Sequence, residues 1–142
     1  MDDIVVQKAK ELDGYLNQVV SIQNQSIIRY NPLEFFSAQA GTLQPPYTMI
    51  SYNGLQTQGA VTSKGLKADA VFAIFVCLHT ETELTDSDYY SMLNVLGEIR
   101  ATIRRQKCTD WKFLLERPQE INNLLVFEQV WSCQVPVEGT TT

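Results

Sequence analysis

Histidine is nearly absent from this chain: His79 is the single one among 142 residues. Any Ser/His/Asp or Cys/His arrangement would have to be built on that imidazole. It closes an apolar run and reads as a strand-end side chain rather than a base. Cysteine is scarce too. Cys77, Cys108 and Cys133 are odd in number and far apart, which excludes a disulfide framework or a zinc knuckle. Basic residues are outnumbered, 11 to 16, leaving a net charge of -5 and a pI near 4.8. Such a balance argues against affinity for DNA, RNA or an anionic membrane, which calls for a basic patch. No apolar run is long enough to cross a bilayer, since that takes about 20 residues. The opening "MDDIVVQKAKELDG" carries acids where a secretory leader has basic residues. An intracellular chain is therefore expected, with the sequon Asn24-Gln25-Ser26 unused.

Two arrangements that could bind ligands are incomplete. Gly54 and Gly59 have the spacing of a phosphate loop, but Ala60-Val61 stand where Lys-Ser/Thr would hold phosphate and magnesium. Glu81, Glu83, Asp86 and Asp88 lack the glycine and regular alternation of a calcium loop. We therefore expect no catalytic residue, no cofactor, no metal and no enzymatic activity.

What is present is an ordinary globular composition, 44% apolar and 19% charged, enough for one domain over residues 1–142. Residues 2–20 recur at helical spacing through Ile4, Leu12, Leu16 and Val19. After the polar "SIQNQS", a short strand "IIRY" is expected before Asn31-Pro32, with irregular chain over 33–46. Tyr47–Tyr52 alternates as a strand, and Asn53-Gly54 is a hairpin-turn signal because both residues accept positive φ. Residues 53–65 then read as a projecting hairpin arm, with Leu55–Ser63 as its return.

The run Ala70–Leu78, rich in Val, Ile and Phe, predicts a strand buried on both faces. It ends in a solvated acidic loop, and Thr85 with Asp88 forms an N-cap signature for a helix reaching about Lys107. Tyr89, Met92, Leu93, Leu96, Ile99 and Ile103 form the expected buried stripe. Arg100, Arg104, Arg105 and Lys107 suit the negative end of the helix dipole. "WKFLLE" reads as a short strand stopped at Arg117-Pro118, and residues 124–137 as the longest strand. On that last strand Leu125, Phe127, Trp131, Cys133 and Val135 share one face, opposite Glu128, Ser132 and Gln134. The tail 138–142 is expected to be loose. The order gives an α+β fold: a mainly antiparallel sheet with a long projecting hairpin, packed by an N-terminal and a central helix.

Taken in order, "PPYTMISYNG", "ADAVFAIFVCLHT", "SDYYSMLNVLGEIRATIRRQ" and "FEQVWSCQVPV" resemble the tail-terminator (tail-completion, neck) proteins of long-tailed phages, especially the contractile-tailed branch. The match is a pattern of elements from residue 44 onward; residues 21–43 lie outside it. The resemblance implies a homo-oligomeric ring, commonly of six subunits, on the last ring of the tail tube. That ring would stop tube and sheath polymerisation and dock the head-completion (neck) proteins, in the virion, after assembly in the host cytoplasm. DNA would pass its lumen without specific binding, and no membrane is involved.

A head-to-tail ring contact is heterologous, so each subunit needs two different complementary patches. Asn53, Gly54, Gln56, Gln58 and Lys64 on the arm, with Arg100 and Arg104 on the central helix, are the candidate contact residues. A polar ribbon of that kind can add to a neighbour's sheet or to the tube; the alternative is a mobile surface hairpin. Glu81 and Glu83 are the candidates for facing the channel, where like charge lets DNA slide. The alternatives are another neck or tube-like subunit, or a small ligand-binding accessory domain.

Overall fold

Val71, Phe72, Ile74, Phe75 and Val76 can all be hidden only if the sheet is covered on both sides, and that requirement organises the fold. In the computed structural model, residues 2–27, 34–36, 43–57, 67–79, 84–106, 110–121 and 124–137 are described. The elements are α1 (Ile4–Leu16), β1 (Asn24–Ile27), β2 (Tyr47–Thr57), β3 (Lys67–His79), α2 (Asp86–Arg104), β4 (Lys112–Ile121) and β5 (Leu124–Pro136). They build one five-stranded sheet in the order β1-β2-β3-β5-β4. Only the β1–β2 pair is parallel. The α+β, mainly antiparallel architecture is the expected one.

β3 lies at the centre, paired with β2 on one side and β5 on the other, and every residue from Ala70 to Leu78 is buried. On one face Phe72, Ile74 and Val76 meet Trp131 and Cys133 of β5, beneath Leu12 and Leu16 of α1 and Leu96, Ile99 and Ile103 of α2. On the other, Ala73, Phe75 and Cys77 pack with Tyr47, Met49 and Val126 under Phe36, which belongs to a helical turn at 34–36. Truncating a buried Phe or Ile to Ala costs about 2–5 kcal/mol, a large part of a small domain's stability.

Both helices begin where their capping chemistry dictates. Asp3 Oδ2 accepts from Val5 N at 2.9 Å to start α1. In α2, Thr85 Oγ1 accepts from the Asp88 amide at 3.1 Å while Asp88 Oδ2 accepts from the Thr85 amide at 3.3 Å, a complete capping box.

Four expectations require correction. α1 stops at Leu16, with Asn17 as its C-cap, so it does not reach residue 20. The first strand forms three residues earlier than expected, inside the polar stretch, because β1 pairs Asn24–Ile27 with Tyr47–Ile50; residues 28–30 lie outside the described chain. Asn53-Gly54 is no hairpin turn. β2 runs through it to Thr57, and Asn53 is the extra residue of a bulge between the pairs Tyr52–Phe72 and Gly54–Val71. Gly54 takes φ of 100° there, the same glycine freedom that a turn would have used. Leu55–Thr57 thus still belong to the outgoing strand, and the rest of the expected arm, residues 58–65, lies outside the described residues.

Finally, β4 does not stop at Arg117-Pro118 but continues to Ile121. As the edge strand it has one side without a ladder, where a residue lacking an N–H is tolerated.

Candidate assembly surfaces

The expected contact residues divide into those the structure places and those outside it. Asn53 and Gln56 are exposed on the outer half of β2, with Gly54 half-buried between them. Gln58, Lys64, Glu81 and Glu83 lie outside the described residues, as does the tail 138–142. Beside the bulge, Tyr52 leans on Phe72 with ring centroids 5.2 Å apart.

At the start of α2 the predicted buried stripe is partly wrong. Met92, Leu96, Ile99 and Ile103 are buried as expected, joined by Val95 and Thr102, but Tyr89 and Leu93 are exposed. All residues from Asp86 to Ser91 are exposed, so the first turn and a half of the helix is solvated on every side. On this helix burial begins only at Met92. Tyr90 is 65% exposed, and its ring meets Tyr89 edge-on at 6.4 Å. Hydrogen bonds from the Thr85 hydroxyl and amide groups hold the Asp88 carboxyl below its ordinary pKa, with His79 adding a smaller effect in the same direction. This end of the molecule is therefore both aromatic and anionic.

The other end of α2 is built differently. Arg100 forms an ion pair with Glu116 of β4, and Glu116 Oε1 also accepts from Gln129 Nε2 at 2.8 Å. The Gln129 amide donates as well to the Leu96 carbonyl at 3.2 Å, while its oxygen accepts from the Trp131 indole at 3.2 Å. This chain of bonds ties α2 to the β4–β5 edge and fixes the Arg100 side chain. One turn on, Arg104 projects over a shallow groove with Lys112, Phe113, Leu114 and the edge of Trp131. Arg104 and Lys112 are exposed, and neither forms an ion pair among the described residues.

The exposure of Leu114 has a local cause. A bulge between the pairs Phe113–Trp131 and Leu115–Val130 makes Leu114 the extra residue and turns it outward, 50% exposed. Phe113 stays over Trp131, centroids 5.2 Å apart, with 40% of its surface open. Sequence reasoning placed Arg100 and Arg104 correctly at this end of α2 but missed Lys112, Phe113 and Leu114. The available signal was "KFLL", whose run of apolar residues breaks the alternation a half-buried strand should keep.

On the opposite face, Glu128 is buried and accepts from Arg117 Nε at 2.7 Å and Gln119 Nε2 at 2.8 Å. It was expected on the face opposite Phe127 and Trp131, and there its partners on β4 cover it. Burial pushes the Cys77 thiol up and the Cys133 thiol to about 12, so both are packing groups rather than nucleophiles. Burial likewise raises the Tyr47 hydroxyl. Among the described residues no cluster of His, Cys, Asp and Glu is arranged to hold a metal ion, and no helix is long and apolar enough to cross a membrane.

No family model matches the chain, and no curated protein matches it. Among solved structures it is similar to a chain from the virion of a native gene transfer agent particle, at 14% identity and a TM-score of 0.46. That likeness spans 93% of this chain and 91% of the other.

Proposed function

We propose that this chain is a structural virion assembly protein of the tail-terminator kind, which closes into a ring on the end of a tail tube. The observation that carries the proposal is the solvated, aromatic start of α2: Tyr89, Tyr90 and Leu93 stand on a rigid helix with nothing of the described chain over them. Large apolar side chains grouped on a rigid element mark an interaction surface. A second such surface, Phe113 and Leu114 beside Arg104 and Lys112, lies at the far end of the same helix. Two unlike surfaces on one subunit are what a closed heterologous ring demands. The sequence resemblance supplies the kind of ring: one of six subunits that ends tube and sheath growth and meets the head-completion proteins. In this proposal the chain acts by presenting surfaces, and catalysis has no part in it.

Native mass spectrometry and negative-stain electron micrographs of the purified protein test this directly. The expected result is a closed ring of identical subunits, six by the resemblance, around a pore wide enough for duplex DNA. Added to growing tail tubes, the protein should cap one end and fix tube length. A chain that stays monomeric alone and with tubes, or that binds a metabolite in a pocket, would refute the proposal.

A further inference from the structure

We infer that the two ends of α2 are the two halves of one contact: the anionic aromatic start of the helix in one copy docks in the cationic groove beside β4 of the next. This rests on the ring proposal and names the surfaces that would close it. The occupant of the groove is a second copy of this chain, and the argument is complementarity. The start of α2 offers Asp86 and Asp88 with Tyr89, Tyr90 and Leu93. The groove offers Arg104 and Lys112 with Phe113 and Leu114; Arg100 is paired with Glu116, and Asp110 and Lys67 line the adjoining depression with the same two cations. Both ends place exposed charge beside exposed apolar surface, the charges are opposite, and in the groove neither cation is neutralised by an ion pair among the described residues. Burying the aromatic rings would supply affinity, and the charges would fix orientation and exclude like ends.

Geometry favours a contact between copies over one within a copy. Asp86 and Arg104 are 18 residues apart on one helix, about 27 Å at the helical rise. They cannot meet in the same molecule. Between neighbours, each pairing leaves the assembled copies with one free helix start and one free groove, and the chain of contacts ends only when the ring closes.

A charge-swap mixture tests the pairing. Asp86→Lys and Lys112→Glu both change exposed side chains outside the core. Each variant alone should weaken the ring at least about tenfold in concentration, as for reversal of a close interfacial charge pair. Mixed in equal amounts, they should restore rings, because the cation introduced in one variant meets the anion introduced in the other and the next contact is wild type. Native masses of those rings should show even subunit numbers with the two variants in equal share. A misfolded variant would not be rescued by mixing. If wild-type rings form and both variants assemble unchanged, the pairing is wrong while the ring proposal stands. The pairing is also wrong if both variants dissociate and the mixture does not restore rings. If the wild-type protein forms no oligomer either alone or with tail tubes, the ring proposal fails and the pairing with it.

Discussion

Gln129 shows how single side chains decide the rigidity of this molecule. Fully buried, it would be costly without partners, yet its amide reaches Glu116 and the Leu96 carbonyl and its oxygen receives the Trp131 indole. The network extends beyond the core, since Glu116 also pairs with Arg100, which lines the groove beside β4. Removing the shared acceptor leaves one N–H of the buried Gln129 amide without its partner and breaks the Arg100 ion pair. Glu116→Ala should lower the unfolding free energy by about 1–3 kcal/mol in urea titration. It should also weaken ring formation, because Arg100 is released.

Among the elements, α2 bears both of the proposed contact surfaces and begins on a capping box with a titrating carboxyl. Thr85→Ala removes the hydroxyl from the Asp88 amide and should cost about 1 kcal/mol, read from thermal unfolding. The sign of the pH effect follows from Asp88, whose carboxyl titrates below its ordinary value in the folded chain. Its contribution is complete above the unfolded aspartate pKa of about 3.9 and disappears as the pH falls through the lower folded value. The helical circular dichroism signal should therefore show an acid loss that is shallower in Asp88→Asn. A change of the opposite sign, with stability rising on acidification, would contradict the cap. β4 is the second element that matters. Its Pro118 suits an edge, and its bulge at Leu114 twists part of that edge outward, a common way of limiting unwanted strand pairing.

For the whole molecule, an assembly held by opposite charges around aromatic contacts should depend on salt. Screening shortens from about 10 Å at 0.1 M to about 3 Å at 1 M ionic strength. Rings should therefore dissociate at higher protein concentration as salt rises, and analytical ultracentrifugation would follow this. An increase in ring stability with salt would point to apolar contacts alone and remove the charge pairing.

Much of the fold could be read from local chemistry. The apolar run Ala70–Leu78 had to be a doubly covered strand, and Thr85 with Asp88 had to open a helix, because burial and capping are satisfied within a few residues. The alternation placing Phe127, Trp131 and Cys133 on one face of β5 was equally local. What periodicity could not supply was extent. Tyr89 and Leu93 occupy helical positions that look like core, yet they are exposed while Met92, Val95 and Leu96 are buried. Asn53-Gly54 has the chemistry of a turn, but the continued pairing of Leu55–Thr57 with β3 makes it a bulge. Alternation sets Glu128 on the face opposite Phe127 and Trp131, and only the arrival of Arg117 and Gln119 from β4 makes its burial possible. The sequence by itself determined the elements and the centre of the sheet, since those depend on neighbours in the chain. Tertiary structure alone decided which side chains stay exposed at the two ends of α2, because exposure depends on where packing partners run out.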